Sequence, residues 1–253
     1  MKKIALKEVL SLSLDVAERM LKCGAEVSRV ENTISIICRG YGVNYIEVFA
    51  MNSIIIATLR DDKDSVTESR RISYHKTDLL QLEKLNDLSR QICKKNISRK
   101  RVLSEIKKIK IKQDDLKLFI GDIIAASSFT LLFKGDFMDA LVSCIIAMLI
   151  FIFNKFCAKS KINNLINNFM TSFMIGFVSI ILTKLGIGNN FDKIIIGDIM
   201  LLIPGLSMFI SINDIFKGDI MSGIGRFTEG IFLALTIAAG VGLSLFMLGG
   251  IIW

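Results

Sequence analysis

Apolar residues recur with a helical period at the start of the chain, and the period then changes. Residues 6–21 and about 25–39 place apolar side chains three or four positions apart, which predicts two amphipathic helices. Helical periods return between 79 and 109, after a stretch rich in β-branched residues. That stretch predicts a three-stranded antiparallel meander over residues 45–49, 53–59 and 65–73.

Beyond residue 115 the apolar residues form continuous runs instead of stripes, each with the roughly 17 to 25 residues needed to cross a bilayer. We therefore predict an α-helical integral membrane protein with an N-terminal α+β domain over residues 1–115 and a transmembrane domain over 116–253. The five predicted spans are about 116–133, 137–156, 165–183, 194–212 and 230–253.

Charge separates the same two parts of the 253-residue chain, whose mean hydropathy is +0.53. Residues 1–115 carry 23 Lys+Arg against 16 Asp+Glu, a net charge of +7, whereas residues 116–253 carry 9 and 8. The positive-inside rule then predicts a plasma-membrane protein with a cytoplasmic N-terminal domain and an external C-terminus. In that orientation Lys155, Lys159, Lys161, Lys217 and Arg226 lie inside, and Lys134, Lys184 and Lys193 lie outside.

Several classes of function find no support in the sequence. The five cysteines form no CxxC motif and His75 is the single histidine, so neither a metal nor another cofactor is expected. The chain has no P-loop and no dinucleotide glycine pattern, which argues against ATP-driven transport. Its lysine-rich segment, residues 94–112, lacks interleaved aromatic residues and favours anionic lipid over nucleic acid.

The fourth predicted span contains the only proline of the chain. Because proline has no N–H to pair with the Met200 carbonyl, the helix must kink or open near Pro204 and Gly205. A polar, glycine-punctuated loop is predicted to follow, from Asp214 to Arg226. A broken span next to a polar loop is typical of a transport pathway and its gate.

Two carboxylates lie within apolar runs, Asp122 in the first span and Asp198 in the fourth. They are candidate proton or solute sites, or alternatively interfacial carboxylates that help helices to pack. In the last span, Ala234, Ala238 and Gly242 predict a close-packing face, within the chain or against a partner.

The N-terminal domain has its own polar candidates. Glu26 and Arg29 lie one helical turn apart, which at its simplest is a solvated ion pair. Arg70 and Arg71 could bind an anion, but alternation along a strand sends their side chains to opposite faces.

These motifs, in this order, resemble the threonine/serine exporter family, specifically the shorter membrane protein of its split, two-chain form. The resemblance covers nearly the whole chain. Its motifs are Gly24-Ala-Glu26-x-x-Arg29-Val-Glu31, Thr67-x-x-Arg70-Arg71-Ile72, Gly135-x-x-x-Asp139-Ala140, and Pro204-Gly205 through Asp214, Lys217-Gly218, Gly223 and Arg226.

The resemblance implies secondary export of small polar metabolites, either amino acids such as threonine and serine or dicarboxylates such as succinate. It also implies a second small membrane protein as partner. Asn213 stands where some relatives have a basic residue, which bears on any substrate assigned through that loop. From these features we expect a subunit of an exporter driven by the proton motive force, and not an enzyme.

Two other classes remain open on the sequence alone. A membrane-tethered hydrolase would place its chemistry around Glu26, Arg29 and Arg70, although no nucleophile and base motif is present. A regulatory or scaffold protein would bind a partner through the N-terminal domain without moving a solute.

Overall fold

The computed structural model describes residues 5–62, 64–73, 77–95, 99–109, 115–159 and 162–252. The chain divides into two compact units. Unit 1 consists of Met1–Lys112 and Leu206–Thr228, and unit 2 of Gln113–Gly205 and Glu229–Trp253. His75 lies outside the described residues.

Unit 1 begins with the two predicted amphipathic helices, α1 (Leu6–Lys22) and α2 (Val27–Gly40). Between them Gly24 has a φ of +86°, a left-handed conformation that favours glycine. The Gly24 N–H donates to the Leu21 carbonyl and the Ala25 N–H to the Met20 carbonyl, which closes α1 in a Schellman motif. The chain can therefore turn within four residues and start α2.

The predicted meander is confirmed. Strands β1 (Tyr45–Met51), β2 (Ile54–Arg60) and β3 (Ser65–Arg71) pair antiparallel in the order β1-β2-β3. Met51 pairs with Ile54, so a two-residue turn, Asn52-Ser53, joins the first two strands. Alternate residues of the sheet are buried against α1 and α2, among them Ala50, Ile55, Ala57 and Leu59.

Two further helices, α3 (Leu79–Lys95) and α4 (Arg99–Lys108), complete the apolar core around α1. The lysine-rich segment 94–112 is described only in part, because residues 96–98 and 110–112 lie outside the described residues. Unit 1 also contains most of α9 (Gly205–Phe216) and the first turns of α10 (Ile220–Ile252).

Unit 2 is helical in the part that the structure describes. It contains α5 (Asp115–Leu132), α6 (Phe137–Lys159), α7 (Asn164–Lys184), the short α8 (Phe191–Ile199) and the remainder of α10. Helix α8 contacts α5, α6 and α7, and therefore lies at the centre of their packing.

Within the described ranges, three helices are long and apolar enough to cross a membrane: Phe137–Cys157, Asn164–Lys184 and Ile220–Leu248. They correspond to the second, third and fifth predicted spans. Helix α5 has 18 residues but carries Asp115, Lys117 and Asp122, and α8 and α9 are too short to cross a bilayer core individually. A crossing by α5, and one by α8 together with α9, stay predictions.

The fourth predicted span opens near Pro204, which is one of the two outcomes predicted for its proline. Helix α8 ends at Ile199, and α9 begins only at Gly205. Pro204 lacks an N–H and also disfavours the helical conformation of Ile203 before it, so the chain leaves the helix instead of bending it.

The prediction of a loop from Asp214 to Arg226 is wrong. Helix α9 continues to Phe216, a short turn contains Gly218 at a φ of +96°, and α10 starts at Ile220 with Arg226 inside it. The glycine pattern was misleading because Gly223 is a packing position. A Cβ there would lie 2.6 Å from the Ser211 carbonyl oxygen on α9.

Candidate functional site

Asp198 is the most isolated carboxylate of unit 2. It lies on α8 and is completely buried, at 0% exposure. Neither of its carboxylate oxygens accepts a hydrogen bond of normal geometry from the residues that the structure describes, although the Ser143 hydroxyl is close enough to interact with it. Because burying a polar group without partners is costly, such a group is uncommon unless it has a function.

The Ser143 hydroxyl lies beside this carboxylate, and the Thr130 hydroxyl is hydrogen-bonded to Ser143. Thr130 on α5 and Ser143 on α6 share a hydrogen bond of 2.5 Å, and the Thr130 hydroxyl also lies 3.1 Å from the Ala126 carbonyl oxygen. Helix α8 reaches them because residue 197 is glycine: a Cβ at Gly197 would lie 2.1 Å from the Thr130 hydroxyl oxygen. We name Thr130, Ser143 and Asp198 the buried carboxylate site.

Asp139 has the opposite environment. Its carboxylate is completely buried but accepts hydrogen bonds from the Asn189 N–H at 2.7 Å and from the Asn190 N–H at 3.0 Å. The Asn190 amide at 2.9 Å and the Asp136 N–H at 2.9 Å add two more. These bonds fix the start of α6 to the loop that leads into α8, so Asp139 orients the helix that carries Asp198.

The remaining unit 2 candidates lie apart from these bonds. Asp122 is half-buried on α5, and no hydrogen bond or ion pair to it is found within the described part of the chain. Pro204 lies in the break between α8 and α9, and Gly205 is the first residue of α9.

In unit 1, carboxylates from the α9–α10 corner cap the N-terminus of α2. The Val27 N–H donates to Asp214 at 3.3 Å, and the Ser28 N–H is close enough to the carboxylate of Asp219 to interact with it. Glu26, at the N-cap position of α2, makes no capping bond of its own. Two acidic groups at the positive end of a helix satisfy its exposed N–H groups and complement its dipole.

Arg226 connects the α9–α10 corner to the sheet and to the segment that precedes α2. Its guanidinium donates to the Asn52 side-chain oxygen at 2.7 Å and to the Ala25 carbonyl at 3.4 Å, and it pairs with Asp214 at 3.5 Å. Asn52 in turn donates to the Ser222 carbonyl at 2.7 Å. These two hydrogen bonds of Asn52 hold the β1–β2 turn against α10.

Glu26 completes the cluster through an ion pair with Lys217 and a hydrogen bond of 2.7 Å from the Asn213 amide. Partial burial alone would raise the pKa of Glu26, but the hydrogen bond and charge of Lys217 outweigh it, so its pKa is lowered. Burial raises the pKa of Asp219. Lys217 and the Ser28 N–H lower this pKa, but by less than burial raises it. We name this set the α2 cap cluster: Glu26, Asn52, Asp214, Lys217, Asp219 and Arg226.

A family comparison covers most of both units. The family model described as "Putative threonine/serine exporter" matches residues 11–248. The chain belongs to the threonine/serine exporter family. No curated protein and no solved structure matches it. The match includes every residue of the buried carboxylate site and of the α2 cap cluster, and membership of an exporter family indicates a membrane transport protein.

The other polar candidates of this exporter-family chain lie in different places. Glu31 accepts a hydrogen bond from the Ala50 N–H at 2.7 Å, and burial raises its pKa. Arg70 lies among Asp15, Glu18 and Glu68 on the other side of α1, whereas Arg71 is exposed. Glu26 forms its ion pair with Lys217, and the partners of Arg70 are Asp15, Glu18 and Glu68, so Arg70 does not join Glu26 and Arg29 in an ion pair. Among the described residues, no group of three or more His, Cys, Asp or Glu could hold a metal ion.

Sequence reasoning missed several residues of these sites. Ser143 gave a weak signal, since it lies one helical turn after Asp139 on α6. The pattern indicated Asn52 only as part of a strand turn, and Asn189 and Asn190 only as loop residues. Thr130 resembled an ordinary helix-packing hydroxyl until the structure brought Gly197 against it.

Proposed function

We propose that this protein is a subunit of a secondary transporter that exports small polar metabolites across the plasma membrane. The solutes are amino acids of the threonine and serine type, or dicarboxylates such as succinate. The proton motive force drives export, and a second small membrane protein completes the path. Family membership supports the coarse part of this proposal.

The observation that carries the proposal is the buried carboxylate site. Asp198 lies on a helix packed among three others and close before the break at Met200–Pro204, with the Ser143 hydroxyl near it and Thr130 hydrogen-bonded to Ser143. A carboxyl group without a fixed partner can exchange a proton or pair with the ammonium group of an amino acid. In other transporters, broken helices place backbone groups and helix ends where a polar solute binds.

We assign a gating role to the α2 cap cluster. Its charged groups join the α9–α10 corner to α2 and to the β1–β2 turn within one unit. Opening this corner requires several charge-assisted hydrogen bonds to break together, which suits a gate that moves between discrete positions.

The partner chain is the second part of the proposal. On α10, a candidate membrane span, the small residues Ala234, Ala238 and Gly242 are exposed in this chain. Small residues at four-residue spacing allow close contact between helices in a membrane, so this face suits a helix of the partner.

Transport by purified protein tests the proposal. The chain and its partner are reconstituted in vesicles, and efflux of labelled threonine and of labelled succinate is followed with and without a pH gradient. Asp198→Asn, which keeps the shape of the side chain, is expected to reduce efflux by about tenfold or more, the loss expected for one charge-assisted hydrogen bond.

The matched control is Asp192→Asn, because Asp192 is an exposed carboxylate on the same helix. Efflux by that variant should stay at the wild-type level. Unchanged efflux in Asp198→Asn would remove the carboxylate from the mechanism. An absence of efflux by the wild-type pair would favour the scaffold alternative instead.

A further inference from the structure

Helices α2 and α3 of unit 1 face each other with polar side chains, apart from Ile36 and Cys93 at one end. The facing positions follow the spacing i, i+3, i+4 and i+7 on both helices, starting at Arg29 and at Asn86. Helices that pack side by side in water normally bury apolar residues at this spacing. Helix α2 does so on its other side, where Val27, Val30 and Ile34 are completely buried.

The two helices run in the same direction and leave a groove between them. The Asp78 N–H, just before α3, donates to the Cys23 carbonyl at 3.1 Å, which joins their starts. At the other end, a Cβ at Gly40 would lie 3.3 Å from the Cys93 Cα, so the backbones almost touch. The groove between these two points has a volume of about 350 Å³.

Hydrogen-bond donors dominate the lining of this groove. Arg29 and Asn32 come from α2, and Asn86 and Arg90 come from α3, while no acidic residue lines it in the part of the chain that the structure describes. Within the described ranges, neither guanidinium group makes an ion pair or a hydrogen bond. Arg29 interacts electrostatically with Glu26, which is itself paired with Lys217.

Two hydroxyl groups that line the same groove already donate hydrogen bonds to backbone carbonyls. Thr33 donates to the Arg29 carbonyl at 2.8 Å, and Ser89 donates to the Asn86 carbonyl at 2.7 Å. The polar side chains that remain to bind a ligand are therefore chiefly the two guanidinium and the two amide groups.

We propose that the α2–α3 groove binds a small water-soluble anion that carries carboxylate or phosphate groups. Guanidinium groups match the paired oxygens of both anions and form charge-assisted hydrogen bonds with them. The volume lies at the lower end of the range of about 300 to 1,000 Å³ that is usual for small-molecule sites. This site is separate from the buried carboxylate site, and its occupation does not depend on export.

Calorimetric titration of the full-length protein in nanodiscs of zwitterionic lipid tests this proposal, with succinate and inorganic phosphate as probes. We expect saturable binding of at least one probe. The double variant Arg29→Gln/Arg90→Gln is expected to weaken it by about tenfold or more, because each lost arginine removes a charge-assisted contact. Both side chains are exposed, so the variant should fold, which its thermal unfolding midpoint checks.

Arg39→Gln is the matched control, since Arg39 is an exposed arginine of α2 that does not line the groove. It should bind the probe like the wild type, and equal weakening by Arg39→Gln would reveal nonspecific charge attraction and overturn the proposal. Absence of saturable binding would overturn it as well. Nanodiscs that contain phosphatidic acid separate the two sources of phosphate: retained binding supports a soluble anion, whereas abolished binding identifies a lipid headgroup and overturns the soluble ligand.

Discussion

Arg226 connects three segments of unit 1 through one guanidinium group. It contacts Asn52 in the β1–β2 turn, the Ala25 carbonyl before α2 and the carboxylate of Asp214 on α9. The side chain of Asp214 is completely buried and that of Arg226 is 11% exposed, so the pair is largely removed from water. Removing one member of such a pair leaves an uncompensated buried charge.

Replacing Arg226 by methionine is therefore expected to lower the free energy of unfolding by about 3 to 5 kcal/mol. The measurement is the thermal unfolding midpoint of the full-length protein in detergent. Adding Asp214→Asn to Arg226→Met should recover part of the loss, because the unpaired charge is then gone. Arg39→Met, at an exposed position of α2, serves as the control and should change little. A wild-type midpoint for Arg226→Met would show that the pair does not support unit 1.

At this scale the sequence identifies residues but not their contacts. Glu26, Asp214 and Arg226 were all named from family motifs, yet 187 positions separate Val27 from the carboxylate that caps it. Hydrophobic periodicity describes neighbours within an element and carries no information about such distant pairs. Nor can it distinguish Asp139, with four hydrogen bonds, from Asp198, whose oxygens have no hydrogen-bond partner among the described residues.

At the scale of elements, regular patterns predicted regular structure well. The period of 3.6 gave α1 and α2, and the β-branched runs gave the meander, because each element buries one continuous face. Between 194 and 226, glycine and proline decide the structure. The predicted break at Pro204 is present and separates two helices, whereas the loop prediction failed because Gly223 is a contact position inside a helix.

Helix α10 contains one glycine at a close helix contact and another at an exposed position. A Cβ at Gly240 would lie 2.5 Å from the Phe169 carbonyl oxygen and 2.9 Å from the Phe173 nitrogen on α7, whereas one at Gly242 would meet nothing within 4 Å. The contact face within this chain thus includes Gly240, while the predicted face of Ala234, Ala238 and Gly242 is exposed.

Gly240→Ala is expected to destabilise unit 2 by about 1 to 3 kcal/mol, since two of the three nearest opposing atoms are backbone and cannot rotate away, although the third, the Ser172 hydroxyl oxygen, can. Gly242→Ala on the same helix should be neutral or stabilising, because alanine favours helix over glycine by up to about 1 kcal/mol. Thermal unfolding midpoints of the two variants in detergent give the comparison. Equal midpoints would mean that α7 and α10 do not approach as closely as described.

At the scale of the whole molecule, two numbers of membrane crossings can be compared, three and five. Three helices satisfy the requirements of a span, and the five-span prediction adds α5 and the α8–α9 pair. Both numbers are odd, so both put the two termini on opposite sides of the membrane. The positive-inside rule does not distinguish the two arrangements. Each places five of the eight basic residues named above inside and three outside.

The loop between α7 and α8 distinguishes the two arrangements. With five spans and a cytoplasmic N-terminus this loop is external, whereas with α6, α7 and α10 alone it is internal. Leu185 in this loop is 70% exposed, so Leu185→Cys in a cysteine-free chain can report its side of the membrane. We expect a membrane-impermeant maleimide to label it in intact cells.

The control is Asn164→Cys, at the opposite end of α7, which should react only after the cells are opened. Asn164 is exposed, and its replacement leaves the N-cap residue Asn163 in place. Labelling in the reverse order would leave three crossings, and α5, α8 and α9 would then have to lie outside the bilayer core despite their apolar composition.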